Sequence, residues 1–155
     1  MRFILGFFLF ITTLLGDENM SIYDIEVKDI DGKRVTVDDS RLNPIWQKCA
    51  ELKIPVLIHT ADPKSFWDPV DEHNERWLEI TTHPGRKRGP DNPAPFETII
   101  EEQHRLFKNN PKTIFIAAHF GWYPNDLGKL GSLLDQMPNV MVEFGAVIAE
   151  LGRQP

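Results

Sequence analysis

The sequence predicts an α/β fold that is built on a parallel sheet. Three short apolar runs, each typical of a buried strand, alternate with stretches in which apolar residues recur at helical spacing. Alternation of this kind favours parallel strands that are joined by right-handed helical crossovers. The 155 residues allow one domain with one core. They are fewer than the roughly 250 residues that a closed barrel of eight strands takes.

The predicted elements begin with an N-terminal β-hairpin. Residues 22–37 contain two segments of alternating polarity on either side of Asp31-Gly32, a pair that tolerates positive φ at both positions. A helix is predicted over about 41–53, where apolar residues recur on one face. The continuous apolar run at 54–58 then predicts a strand that is covered on both faces.

The rest of the chain repeats the order of helix and strand. Residues 63–95 are rich in proline and aspartate, which predicts a long loop, with a short helix near 74–81. An apolar stripe over 95–109 predicts a helix with a buried face. The remaining predicted elements are a strand at 112–118, a helix at 125–136, a strand at 140–145 and an apolar turn at 146–151.

The composition argues against some classes of function. There are 17 Lys and Arg residues against 23 Asp and Glu residues, for a net charge of −6, so the surface as a whole repels phosphate backbones. We therefore expect that nucleic acid is not a partner. The single cysteine, Cys49, cannot form an internal disulfide, so we expect burial alone to stabilise the fold.

The N-terminal residues are expected to lie outside the fold. Arg2 precedes the apolar run Phe3–Leu15, which is shorter than the roughly 20 residues of a bilayer span and has the length of a secretory h-region. Residues 1–19 are therefore predicted to be a signal peptide, with an uncleaved anchor or a start at Met20 as alternatives. The domain is expected to occupy residues 20–155. A signal peptide would make the protein secreted or periplasmic, and without one we expect it in the cytoplasm.

Histidines directly follow two of the predicted strands. His59 comes after the run at 54–58, and His119 comes after the run at 112–118. The carboxyl ends of parallel strands meet at one edge of a sheet, and that edge carries the working groups of α/β proteins. A neutral imidazole can ligate a divalent metal or exchange a proton near neutral pH. The two rings are therefore candidates for one shared site, and the alternative is that each is only a hydrogen-bonded residue.

Carboxylates and aromatic rings lie near both histidines in the sequence. Asp62 either orients an imidazole or contacts substrate, or it only forms the turn before Pro63. Trp122 is a candidate for the wall of a pocket that takes a flat or apolar substrate. Glu143, at the end of the third strand, either faces the same opening or is a paired charge at its rim.

Other conspicuous residues are assigned to structure. Trp46 and Trp77 are predicted to cover the core. The basic run Arg86–Arg88 is predicted to be a solvated loop tip, and the remaining three histidines are assigned to the surface.

Two runs of the sequence closely resemble one protein family. PVLIHTADPKSFWDPVDEHNERW (55–77) and TIFIAAHFGWYPNDLGKLGSLLDQMPNVMVEFGAVIAELGRQP (113–155) resemble the amidohydrolase-related metal-dependent hydrolases, a TIM-barrel group that includes the aminocarboxymuconate-semialdehyde decarboxylase type. The resemblance begins near residue 23. It implies a partial TIM (β/α)8 barrel of about three parallel strands. By this resemblance, His59 is similar to the metal-ligand histidine after the fifth barrel strand, and His119 is similar to the sixth-strand histidine that helps to move protons.

Two parts of the family's site have no counterpart in this sequence: the His-x-His pair after the first barrel strand, and the aspartate after the eighth. His59 and His119 supply at most two ligands, whereas a catalytic zinc has about three protein ligands and a water. The resemblance implies a central fragment of a hydrolase whose divalent metal, zinc by expectation, activates water to attack a small carbonyl-type substrate. Metal-assisted decarboxylation and a non-catalytic barrel segment are the alternatives. For this chain we expect negligible hydrolysis and weak metal retention.

Overall fold

A parallel sheet of three strands organises the protein. The computed structural model describes residues 28–90 and 94–153 of the chain. The strands are β1 (Val56–Ile58), β2 (Phe115–Ala117) and β3 (Val140–Val142), which lie in the spatial order β1-β2-β3. Both neighbouring pairs are parallel, so helices carry the chain from the end of one strand to the start of the next. The predicted α/β class is confirmed, and the arrangement is consistent with a partial TIM barrel.

The helices lie close to their predicted positions. Within the described ranges the α-helices are α1 (Asn43–Glu51), α2 (Trp77–Thr82), α3 (Phe96–Asn109), α4 (Leu127–Gln136) and α5 (Ile148–Leu151). The start of α4 shows why sequence signals place helix ends well. The side chain of Asp126 accepts a hydrogen bond from the backbone N–H of Lys129 at 2.8 Å, which satisfies one of the unpaired donors of the first turn.

One face of the sheet packs against helices and forms the core. The register pairs Phe115 with Val56 on one side and with Val140 on the other, so these three residues lie in one row. Phe115 is fully buried, and its ring lies 5.0 Å from that of Phe107 in α3 and 6.0 Å from that of Trp46 in α1, between centroids. Trp46 thus packs against the core, as predicted.

The opposite face of the sheet is open. Leu57 is 65% exposed and Met141 is 58% exposed, and Ile116 lies between them in the register. The prediction that the first strand is covered on both faces is therefore wrong for the residues that the structure describes. In a closed barrel, alternate residues of each strand face the interior, and three strands alone do not enclose one.

The predicted N-terminal hairpin is not supported. Between residues 28 and 37, one antiparallel bridge joins Lys28 to Arg34 around a turn in which Gly32 has a φ of +76°. The Asp29 carboxylate accepts the backbone N–H of Lys33 at 2.9 Å. The Asp29 side chain therefore occupies a backbone N–H that would otherwise donate a hydrogen bond to the opposite strand of a hairpin.

Two further predictions fall on residues that the structure does not describe. These are the signal peptide over 1–19 and the first part of the hairpin over 22–27. Among the helices of residues 28–90 and 94–153, none has the length and apolar character needed to cross a bilayer.

Trp77 does not cover the core as predicted. Its side chain is 47% exposed, because α2 is only six residues long and buries Ile80 instead. A helix this short presents about one buried position per turn, and Trp77 does not occupy it.

The asymmetry of the sheet predicts different effects of truncation on its two faces. We expect Phe115→Ala to destabilise the protein by about 3–5 kcal/mol, because it removes a fully buried ring and leaves a cavity. Leu57→Ala is the matched control on the open face and should change the free energy of unfolding by less than about 0.5 kcal/mol. Urea unfolding of both variants checks this, and equal shifts of the midpoint would contradict the assignment of the faces.

The acidic residue before α1 predicts a pH-dependent contribution to stability. The Arg41 guanidinium and the Arg41 backbone N–H lower the pKa of Asp39 from 3.8 to about 2. A depressed pKa in the folded state stabilises the protein above the unfolded value, and this contribution is lost as the pH falls toward the folded value. Asp39→Asn should therefore lower the Tm at neutral pH, and the difference should vanish near pH 2. Arg41→Gln should lower the Tm further, because it also removes the ion pair between Arg41 and Asp29 at 3.0 Å, and the two changes together should cost less than the sum of the single changes.

Candidate functional site

Two imidazoles lie together at the carboxyl edge of the sheet. The register aligns Ile58 with Ala117, so β1 and β2 end side by side. His59 follows β1 directly, and His119 follows β2 after one further residue. Their ring centroids are 5.0 Å apart and the ring planes are nearly perpendicular, at 84°. The two rings open into one cavity of about 170 Å³.

Trp122 packs against both imidazoles. Its ring centroid lies 5.5 Å from that of His59 and 4.7 Å from that of His119. Trp122 is 8% exposed and lines the cavity, and its contact with a substrate stays a prediction. The large indole replaces water on one side of both rings, which lowers the local dielectric.

Burial favours the neutral form of His59. Protein atoms around the ring lower the pKa of His59, and the nearby His119 adds to this effect by disfavouring a second positive charge. The residue nevertheless keeps more than a third of its surface in contact with solvent. His59 therefore stays neutral near pH 7 with an open side, and a neutral imidazole is the form that ligates metals.

A left-handed turn carries His119. His119, Phe120, Gly121 and Trp122 have φ values of +56°, +57°, +58° and +66°. Three of the four carry a side chain, and this conformation costs such residues about 1–2 kcal/mol each. Backbone contacts hold the turn in place, among them a hydrogen bond from the Phe120 N–H to the Glu143 carbonyl oxygen at 2.8 Å.

The contacts of His119 fix the position of its proton. Nδ1 lies 2.6 Å from the carbonyl oxygen of Gly145, and a carbonyl can only accept, so Nδ1 carries the hydrogen. Nε2 then has a free lone pair when the ring is neutral. The Glu143 carboxylate lies 3.4 Å from Nδ1. Glu143 is thus a paired charge beside His119, and it is not among the described residues that line the cavity.

Asp62 lines the cavity as half of an ion pair. Its Oδ2 accepts a hydrogen bond from Nε of Arg88 at 3.0 Å and forms an ion pair with Nη2 of Arg88 at 2.9 Å. Arg88 is only 4% exposed, so the prediction that residues 86–88 form a solvated loop tip is wrong. Lys87 donates to the backbone carbonyls of Phe66 and Asp68, which ties this basic loop to the rest of the site. Buried charge requires a partner, and Asp62 supplies it.

A buried glutamine connects the two histidine loops. Gln103 of α3 is 2% exposed, and its Oε1 accepts a hydrogen bond from the Thr60 hydroxyl at 2.5 Å. Its Nε2 donates to the carbonyl oxygen of Gly121 at 3.4 Å. Thr60 is adjacent to His59, and Gly121 lies in the turn of His119. Gln103 is not among the residues that the sequence predicts for the site. The signal that could have found it is an amide on a buried helical stripe, which must find partners.

The remaining histidines lie away from the cavity. His73 and His83 are exposed, as predicted, whereas His104 is half-buried with its ring stacked on Tyr123 at 6.0 Å between centroids. Burial lowers the pKa of His104. None of the three lines the cavity of His59 and His119 within the described part of the chain.

The donor set fits part of a zinc site. The two rings are 5.0 Å apart between centroids, and an imidazole nitrogen is a usual zinc ligand. Among residues 28–90 and 94–153, no group of three or more His, Cys, Asp or Glu side chains is placed to hold a metal ion. The described residues thus offer two nitrogen donors, fewer than the three protein ligands that catalytic zinc usually has.

Comparison with known proteins identifies the family of this chain. A family model described as Amidohydrolase matches residues 26–155. No curated protein and no solved structure matches the chain. The matched region includes the whole described sheet, both histidine loops and Glu143. The chain belongs to the amidohydrolase family.

Proposed function

We propose that this protein is a metal-dependent hydrolase that acts on a small carbonyl-type substrate. The observation that carries the proposal is the pair of imidazoles, 5.0 Å apart between centroids, over one cavity at the carboxyl edge of a parallel sheet. Membership of the amidohydrolase family supports it, because that family usually binds a divalent metal.

His59 is the proposed metal ligand. Its neutral form is favoured by burial and it keeps an open side, both of which metal ligation requires. Zinc is the proposed ion, because imidazole nitrogens suit it and it needs no redox partner. When bound, such an ion lowers the pKa of a water molecule and polarises a carbonyl oxygen.

His119 is the proposed proton-transfer residue. With Nδ1–H directed at Gly145, Nε2 can take a proton from water and later give it to a leaving group. The Glu143 carboxylate, 3.4 Å from Nδ1, stabilises the imidazolium that this transfer creates. The indole of Trp122 keeps bulk water from one side of the ring.

The cavity suits a small substrate. Its volume of about 170 Å³ is below the range of about 300–1,000 Å³ that is usual for drug-sized ligands. We assign the apolar wall to Trp122 and a polar contact to Asp62. Asp62 Oδ2 already binds Arg88, so any contact between Asp62 and the substrate is expected through the other carboxylate oxygen.

Removal of His59 should abolish most metal affinity. We expect the chain to bind one zinc ion weakly, because His59, the one proposed ligand, is fewer than the three protein ligands that catalytic zinc usually has. His59→Ala should lower the affinity by more than about tenfold, because loss of even an outer-shell partner typically costs 10–100-fold. Isothermal titration with zinc measures this. His73→Ala, at a side chain that is 86% exposed, is the control and should bind like the wild type. Equal affinity of all three proteins would contradict the ligand assignment.

Loss of His119 should affect the rate more than the binding. Without added zinc we expect negligible hydrolysis, and with excess zinc we expect slow hydrolysis of an activated aryl acetate. His119→Gln should lower the zinc-dependent rate by about 100-fold or more, because Gln cannot transfer protons. His83→Gln, at an exposed position, should leave the rate unchanged. A rate that is independent of zinc, or that survives in His119→Gln, would overturn the proposed role.

A further inference from the structure

The Glu143 carboxylate is held by the backbone of two loops. Oε1 accepts the N–H of His119 at 2.7 Å, and Oε2 accepts the N–H of Gly145 at 2.6 Å. These two N–H groups lower the pKa of Glu143, with the His119 bond contributing most. Glu143 is therefore ionised at neutral pH, and both of its bonds are charge-assisted.

The close approach of Glu143 to Gly145 requires glycine. A Cβ atom at position 145 would lie 2.7 Å from Oε2, a separation that real Cβ contacts essentially never show. Any other residue would push the carboxylate away from the Gly145 N–H. The absence of a side chain at this position therefore permits the contact.

Glu143 holds the first two residues of the strained turn. Its side chain binds the His119 N–H, and its own carbonyl oxygen binds the Phe120 N–H at 2.8 Å. Glu143 is in turn fixed to β2, because its N–H donates to the Ala117 carbonyl oxygen at 3.2 Å. Unfavourable φ values persist only where the surroundings impose them, and here one residue supplies two of the contacts that do so.

The same carboxylate acts on the ring of His119. By holding the Gly145 N–H, it positions the peptide chain on either side of Gly145, including the carbonyl oxygen that accepts from Nδ1. Its negative charge, 3.4 Å from Nδ1, also favours a hydrogen on that nitrogen. Both effects favour the tautomer in which Nε2 is free.

We propose that Glu143 is a positioning residue that, together with Gly145, holds the left-handed turn of His119 and fixes its Nδ1–H tautomer. Its importance for catalysis rests on the proposed function of His119. The arrangement itself depends only on the contacts described, so it can be measured in metal-free protein.

The test is the tautomer of His119 in histidine-labelled protein. Nitrogen-15 NMR at about pH 9, where imidazoles are neutral, distinguishes Nδ1–H from Nε2–H, and His119→Gln identifies the signal. In the wild type we expect Nδ1–H to exceed Nε2–H by about tenfold or more. Glu143→Gln should reduce this ratio by about tenfold, because the amide has no charge and directs a donor at a backbone N–H.

Two control variants separate this effect from general perturbation. Glu101→Gln makes the same chemical change at a side chain that is 71% exposed and should leave the tautomer ratio unchanged. Gly145→Ala should reduce the ratio as Glu143→Gln does, because it displaces the carboxylate without removing it. Gly131→Ala, where a Cβ meets no atom within 4 Å, is its matched control.

Several outcomes would overturn the inference. An Nε2–H tautomer in the wild type would do so at once, even if no variant folds. An unchanged ratio in folded Glu143→Gln would do so as well. Failure of the chain to bind zinc would overturn the proposed function but would leave the tautomer measurement, made without metal, unaffected.

Discussion

The parallel pairing of β1 with β2 is the constraint on which the candidate site depends. Because Ile58 and Ala117 are register partners, β1 and β2 end at the same level of the sheet. The residues that follow the two strands are therefore neighbours in space. His59 and His119 are 60 positions apart in the sequence and 5.0 Å apart between ring centroids. In the same way, the parallel pairing of β2 with β3 places Glu143, which follows β3, beside the turn of His119. Hydrogen bonds between the strand backbones therefore bring these three side chains together.

Each of the two histidines is supported differently. His59 lies directly after its strand, and its properties follow from burial and from the neighbouring ring. His119 lies in an unfavourable backbone conformation and needs dedicated contacts to stay there, which Glu143 and Gly145 supply. Gln103 then connects the loops of both, through Thr60 and through Gly121. A residue that moves protons must present one particular nitrogen, and the contact of Nδ1 with the Gly145 carbonyl oxygen leaves Nε2 for that role.

The sequence was sufficient for the features that depend on periodicity. Apolar runs and helical stripes predicted the α/β class and the order of the elements. Because the carboxyl ends of parallel strands meet at one edge of a sheet, the sequence also predicted that His59 and His119 lie close together. Predictions from the sequence were wrong where the burial of a residue depends on a partner that is distant in the chain. Arg88 reads as one member of a basic loop, and only the folded chain shows it buried against Asp62. The prediction of the N-terminal hairpin is not supported for a related reason. The side chain of Asp29 accepts the backbone N–H of Lys33, and this local hydrogen bond competes with the hydrogen bonds between strands that a hairpin needs.

The left-handed turn at 119–122 bears on which substitutions this protein can accept during evolution. Three residues with side chains adopt a backbone conformation that glycine alone adopts freely, and each lowers the stability of the native state. Stabilising substitutions are usually easy to find, and their recurrent cost is lost function where activity needs a strained site. Replacement of these residues by glycine would therefore be expected to trade activity for stability. If a descendant of this protein no longer required the imidazole of His119, we would expect the first substitutions to remove the positive φ values of the side-chain-bearing residues in this turn.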